Sequence, residues 1–149
     1  MDSYVQIYSA LLAAVLLLSW RSDVAICQKV ALLMLLDWAG YSIVHEAIAS
    51  ASMPLFMPMW SAFIVILLMI FGWANKSKLC LAVIGIYWIE EAIHVTMFAN
   101  HLEGSHLHYA LVNATFIARM FVLGGVALAN VAHRIRSKHC RFPHRLVGV

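Results

Sequence analysis

Five apolar runs, at about 4–20, 24–50, 53–73, 79–100 and 109–132, follow one another along the chain with only short polar connections between them. A helix needs roughly 17–25 predominantly apolar residues to cross a bilayer, and each run meets or slightly exceeds that length. The connections RSD, AS, ANKSK and HLEGSHLH are short, so consecutive helices are expected to be antiparallel neighbours, with no linker to a second domain. Over the full 149 residues the chain is 64% hydrophobic and 11% charged. Soluble domains average about 45–50% apolar and 25% charged residues, and one of this size has no interior large enough to hide the excess. The expectation is an all-α, polytopic integral membrane bundle of five transmembrane helices over 1–132, followed by a basic tail over 133–149. The opening MDSY has no basic residue, and no small-residue cleavage site follows the first run, so that run is expected to be a retained helix.

Lys and Arg give the orientation. Arg21 lies in the first connection, Lys76 and Lys78 in the third, and Arg134, Arg136, Lys138, Arg141 and Arg145 in the tail; the second and fourth connections have neither residue type. Five spans put all of these on one side, which places the N-terminus outside and the C-terminus in the cytosol. The expected location is the bacterial cytoplasmic (inner) membrane. Beside a bilayer a basic tail favours anionic lipid headgroups, and no aromatic–basic platform accompanies it that would suit nucleic acid. Trp20, Trp60, Trp73, Tyr4 and Tyr109 fall near span ends, where amphipathic rings favour the interface, whereas Trp38 and Trp88 sit at depth.

The runs are not purely apolar. IYWIEEAIHVTMF, at 86–98, carries Glu90, Glu91 and His94; Asp37 lies near the middle of the second run and Arg119 near the middle of the fifth. Each such charge costs about 2.5–3.5 kcal/mol at a helix centre on insertion scales, so these groups are expected to face one another and not lipid. Helical spacing agrees. Tyr87, Glu90, Glu91 and His94 form one stripe, Asp37, Tyr41 and His45 another with Lys29 two turns below, and Thr115 and Arg119 are one turn apart with His108 nearly in line. The expected polar core is therefore built by the second, fourth and fifth helices, with the first and third packed outside it. Three carboxylates and one guanidinium cannot all stay ionised at low dielectric. The cluster is expected to take up a proton or a cation, with Arg119 as the fixed counter-charge. A bland alternative is an Arg119–Glu90 or Arg119–Asp37 pair that only fixes helix register, which leaves the further acids without a role.

His45 and His94 lie on the outer side of the acids, placed to relay protons or to ligate a haem iron axially. Met53, Met57 and Met59 with His101, His106 and His108 offer ligands suited to copper, though MPLFMPM is no defined site. Glu91 and His94 make one E-x-x-H pair; di-iron bundles need two with further glutamates, and His45 and Glu46 are adjacent. HEAIAS and EEAIHV are faintly alike, too little to establish a repeat. Cys27, Cys80 and Cys140 show no CxxC spacing and read as free thiols. No phosphate-binding glycine loop, GxSxG or HExxH is present, so an enzyme is not favoured. Gly124 and Gly125 permit close helix contact.

The leading expectation is a small membrane protein that binds or translocates a proton, cation or small solute at Asp37, Glu90, Glu91 and Arg119, with Tyr41 and Tyr87 beside them. So short a chain is expected to work as a homo-oligomer or within a larger membrane assembly. Two alternatives remain open at this stage. One is a holin-like or accessory protein whose buried charges control assembly; the other is a bis-His haem or metal redox protein.

Overall fold

A computed structural model describes residues 2–47, 53–102 and 105–139. All the secondary structure among them is helical: α1 (Asp2–Ser22), α2 (Ala25–Ala47), α3 (Met53–Asn75), α4 (Lys78–Ala99) and α5 (His106–His139). Lipid offers no hydrogen bonds to the backbone, and a helix satisfies its own N–H and C=O groups within the segment.

Three reversals share one backbone feature. Asp23, Lys76 and His101, none of them glycine, take left-handed φ values of 59°, 47° and 53° just past the ends of α1, α3 and α4. After α3, Ser77 N donates to Gly72 O at 3.1 Å and Lys76 N to Trp73 O at 3.4 Å. After α4, Leu102 N donates to Met97 O at 2.8 Å and His101 N to Phe98 O at 3.1 Å. Each pair caps the last carbonyls of a helix; two residues separate the end of α3 from the start of α4, and six separate the end of α4 from the start of α5. Ser77 then starts α4, its hydroxyl accepting from Cys80 N at 3.3 Å.

The helices close into a ring in chain order. Each packs on its sequence neighbours, α5 closes back on α1, and α5 also touches α2. Helix α1 thus lies against α2 and α5, and α3 against α2 and α4, flanking the three helices expected to build the polar core. At the contact of α1 with α5, Gly124 faces Val15: a Cβ there would lie 3.4 Å from Val15 Cγ2, about van der Waals distance.

Polarity is inverted relative to a water-soluble protein. Asp37, Glu90, Thr115 and Arg119 are buried, while Leu17, Leu81 and Phe121 are 72%, 68% and 74% exposed. Water would reject that arrangement and hydrocarbon favours it. Helices α2 to α5 contain segments long and apolar enough to cross a membrane, and the apolar part of α1, Gln6–Ser22, is shorter. The chain is an integral membrane protein of the α-helical class.

Helix α5 has 34 residues, about 51 Å at 1.5 Å per residue, against a hydrocarbon thickness of about 30 Å. It continues beyond Ala132, so the basic segment begins as helix and not as a separate tail. Exposed Arg134 meets Asp23 of the α1–α2 connection at 3.2 Å, which puts that connection and the C-terminal part of α5 at one end of the bundle. Arg136 is exposed as well. Lys138 lies in α5, but its side chain is outside the described residues, as are Arg141, Arg145 and Cys140.

Candidate functional site

The intramembrane charges converge on Arg119. From α5 its guanidinium reaches two other helices: Nη1 lies 3.2 Å from Asp37 Oδ2 of α2, and Nη2 lies 2.7 Å from Glu90 Oε2 of α4. Each contacted carboxylate oxygen takes a second donor. Tyr87 donates its phenolic O–H to Asp37 Oδ2 at 2.6 Å, and Thr115 donates its hydroxyl to Glu90 Oε2. Tyr87 also lies under the guanidinium, with Arg119 Cζ 3.9 Å from its ring centroid, and Phe116 stands 5.6 Å away. A planar cation sandwiched by an aromatic face and forked to two anions is the role that arginine fills and lysine does not. Tyr87 is fully buried, and Arg119 is 2% exposed.

The third acid does not join this pair. Glu91 is half-buried and lies beside Ser61 of α3, with its Oε1 buried and without a hydrogen-bond partner. Adjacent helical residues point about 100° apart, so Glu90 and Glu91 address different neighbours. Within the cluster one guanidinium faces two carboxylates, with a third carboxyl one residue further along α4.

Helix α3 contributes more than its apolar sequence announces. Buried Ser61 and the indole of Trp60 both face inward. The buried Trp60 N–H lies beside Asp37 without completing a hydrogen bond. Gly40, close to Asp37 on α2, lets the indole approach: a Cβ there would overlap the ring. The Trp60 ring is partly buried against α2. Thr115 was legible as a polar residue in line with Arg119, but nothing in its spacing assigned it to Glu90. Lys29, expected on the Asp37 line, instead lies 5.4 Å from the Phe71 ring centroid on the α2–α3 side.

A second polar pair lies toward the α4–α5 connection. His94 Nδ1 and His108 Nε2 are 2.9 Å apart, the rings meeting edge to face at a centroid distance of 4.9 Å. An N–H···N bond needs one ring nitrogen without a proton, so at least one of the two imidazoles is neutral in this arrangement. Tyr109 stacks on His108 at 6.0 Å, and Tyr41, one turn from Asp37, stands beside Tyr109. The His45 side chain lies outside the described residues, so a pairing of His45 with His94 for relay or haem ligation lies outside them too. The side chains of Met53 and Met57 are likewise not described. Met59 is 73% exposed, His101 and His106 are exposed, and among the described residues no three His, Cys, Asp or Glu side chains are placed to hold a metal. Cys27 and Cys80 are buried free thiols.

No family model matches the chain, and neither the curated proteins nor the solved structures include a significant match to it. The class of the protein therefore rests on its own fold and site: a helical integral membrane protein with an acid–arginine cluster buried between three helices.

Proposed function

We propose that the chain is a five-span membrane protein whose Asp37–Glu90–Arg119 cluster binds a proton or a small cation, working as an oligomer or within a larger membrane assembly. One observation carries this reading: a single guanidinium is shared by two carboxylates at 3.2 and 2.7 Å in the bundle interior. A register-fixing pair needs one acid. Two acids on one cation leave a net negative charge in a low-dielectric interior, and Glu91 adds to it. Uptake of one positive charge neutralises the Asp37–Glu90–Arg119 cluster, a second is needed while Glu91 is ionised, and release of such a charge is the event the site can couple to helix movement.

The orientation with the N-terminus outside and the C-terminus in the cytosol is part of the proposal. Arg21, Lys76, Lys78, Arg134 and Arg136 belong to the end where Arg134 meets Asp23, and cytoplasmic segments carry the excess of Lys and Arg. The first helix counts as the fifth span because its 21 residues are about 31 Å long and pack against α5. The basic end is suited to anionic headgroups.

The test is a direct proton-binding titration of purified protein against Asp37→Asn and Glu90→Gln. Loss of one bound proton, or of a competing cation, in either variant supports the reading. Identical curves for all three proteins would overturn it.

A further inference from the structure

The interior of the bundle is polar on one side of Arg119 and mainly apolar on the other, where Ser19 and Ser22 of α1 are the buried polar residues among those described. Toward the α4–α5 connection stand Thr115, Glu91, His94, His108, Tyr41 and Tyr109. Toward the opposite end the interior is closed by Val30, Met34, Leu68, Cys80, Val83 and Leu123, none of them more than 1% exposed. From Glu90 to Cys80, and from Asp37 to Cys27, this apolar layer extends ten residues along each helix, about 15 Å.

On the polar side, two buried atoms of α4 have no partner: His94 Nε2 and Glu91 Oε1. They sit three residues apart, where helical side chains are neighbours. Their chemistry is complementary. If His94 Nδ1 accepts from His108, the His94 proton is on Nε2, a donor; Glu91 Oε1 is an acceptor. A buried polar atom left unpaired is costly, and a direct or water-bridged contact between them removes both costs.

Resting on the proposed proton-binding function, we propose that the His108–His94–Glu91 series carries protons to and from Glu91, beside the buried cluster, and that water reaches this series from the α4–α5 side and not through the apolar layer at the opposite end. A proton arriving at His108 moves along the N–H···N bond from His108 Nε2 to His94 Nδ1. The resulting imidazolium gives up its Nε2 proton to the Glu91 carboxylate, next to Glu90. One proton leaves water and one carboxylate is protonated; both imidazoles end neutral, with their tautomers exchanged. Among the described side chains, the titratable and charged groups around the pair are Glu90 and Glu91 on α4, Tyr109 and Arg119 on α5, and Asp37 and Tyr41 on α2. Helix α3 has no titratable residue, and the described side chains of α1 place Tyr8 against Phe116.

Two measurements on the full chain test this. The first uses a membrane-impermeant cationic methanethiosulfonate on vesicles of both orientations, in a Cys140→Ser background. Val112→Cys, on α5 between His108 and Thr115, reacts from the α4–α5 side at least about tenfold faster than native Cys27 or Cys80 from either side. Labelling of Cys27 or Cys80 at a comparable rate, or no labelling of Val112→Cys, overturns one-sided access. The second follows the carboxyl stretch by time-resolved infrared spectroscopy after a pH jump. His94→Phe and His108→Phe slow the response at least roughly tenfold with unchanged final amplitude. A wild-type rate in either folded variant, or a changed amplitude, overturns the relay. If the wild-type carboxyl band does not respond to pH at all, the proton-binding function fails, and the labelling result still decides whether the interior is open on one side.

Discussion

Arg119 Nη2 and Glu90 Oε2 lie 2.7 Å apart across the α4–α5 contact, and the same guanidinium holds Asp37 of α2 at 3.2 Å. Three helices are thus tied at one point by a cation that cannot deprotonate. Arg119→Leu leaves two buried acids without their counter-charge, and breaking a buried pair in this way costs about 3–5 kcal/mol. Adding Asp37→Asn and Glu90→Gln to the same molecule should recover part of that loss, because the sites are coupled. Thermal unfolding in detergent reads it. Strictly additive losses would show that the three side chains do not meet.

Tyr87 does two things for this cluster: its hydroxyl donates to Asp37 at 2.6 Å and its ring supports the guanidinium at 3.9 Å. Tyr87→Phe keeps the ring and removes the donor, and should destabilise the protein by about 1–3 kcal/mol. Tyr87→Ala removes both and opens a cavity, costing about 3–5 kcal/mol. Equal losses from the two substitutions would mean that the hydroxyl carries the whole effect.

The acids and arginine of this site were legible in the sequence, because a charge in an apolar span has few places to go. The choice between neighbours was not. Glu90 and Glu91 are equally polar, and only the rotation of α4 against α5 selects Glu90 for Arg119. His94 lines up with both His45 and His108 in depth, and the described partner, His108, depends on how far α5 is shifted along α4. Helix α3 carries no charge, so nothing in its sequence distinguished the inward face of Trp60 and Ser61 from its lipid face. The packing of α1 on α5 joins elements far apart in the chain, which spacing alone does not reveal.

The contact of Gly40 with Trp60 gives a prediction about α2–α3 packing. A methyl group at Gly40 overlaps the indole, so Gly40→Ala should force Trp60 to move and cost about 1–3 kcal/mol, as overpacking does. Trp60→Phe in the same chain should relieve part of the cost. Tryptophan fluorescence and unfolding midpoints check both; a neutral Gly40→Ala would mean that the two helices stand further apart.

The clustering of basic residues at the Arg134–Asp23 end predicts where the chain ends lie. A reporter fused after Val149 should behave as cytosolic, and one inserted in the α4–α5 connection as external. Reversing Lys76 and Lys78 to Glu should weaken that bias, because positive charge sets it. An external C-terminal reporter would contradict the five-span arrangement.

Two acids share one arginine, and on the proposed reading the site takes up a positive charge to balance them. Static infrared spectroscopy of the carboxyl C=O stretch, compared between the wild type and Glu90→Gln, tests this most directly. At neutral pH and low cation concentration the wild type should show a protonated-carboxyl band. Alkaline titration or a competing cation should remove it, and Glu90→Gln should lack it or show it altered. No such band at any pH near neutrality, with both acids ionised and no cation bound, would contradict the account.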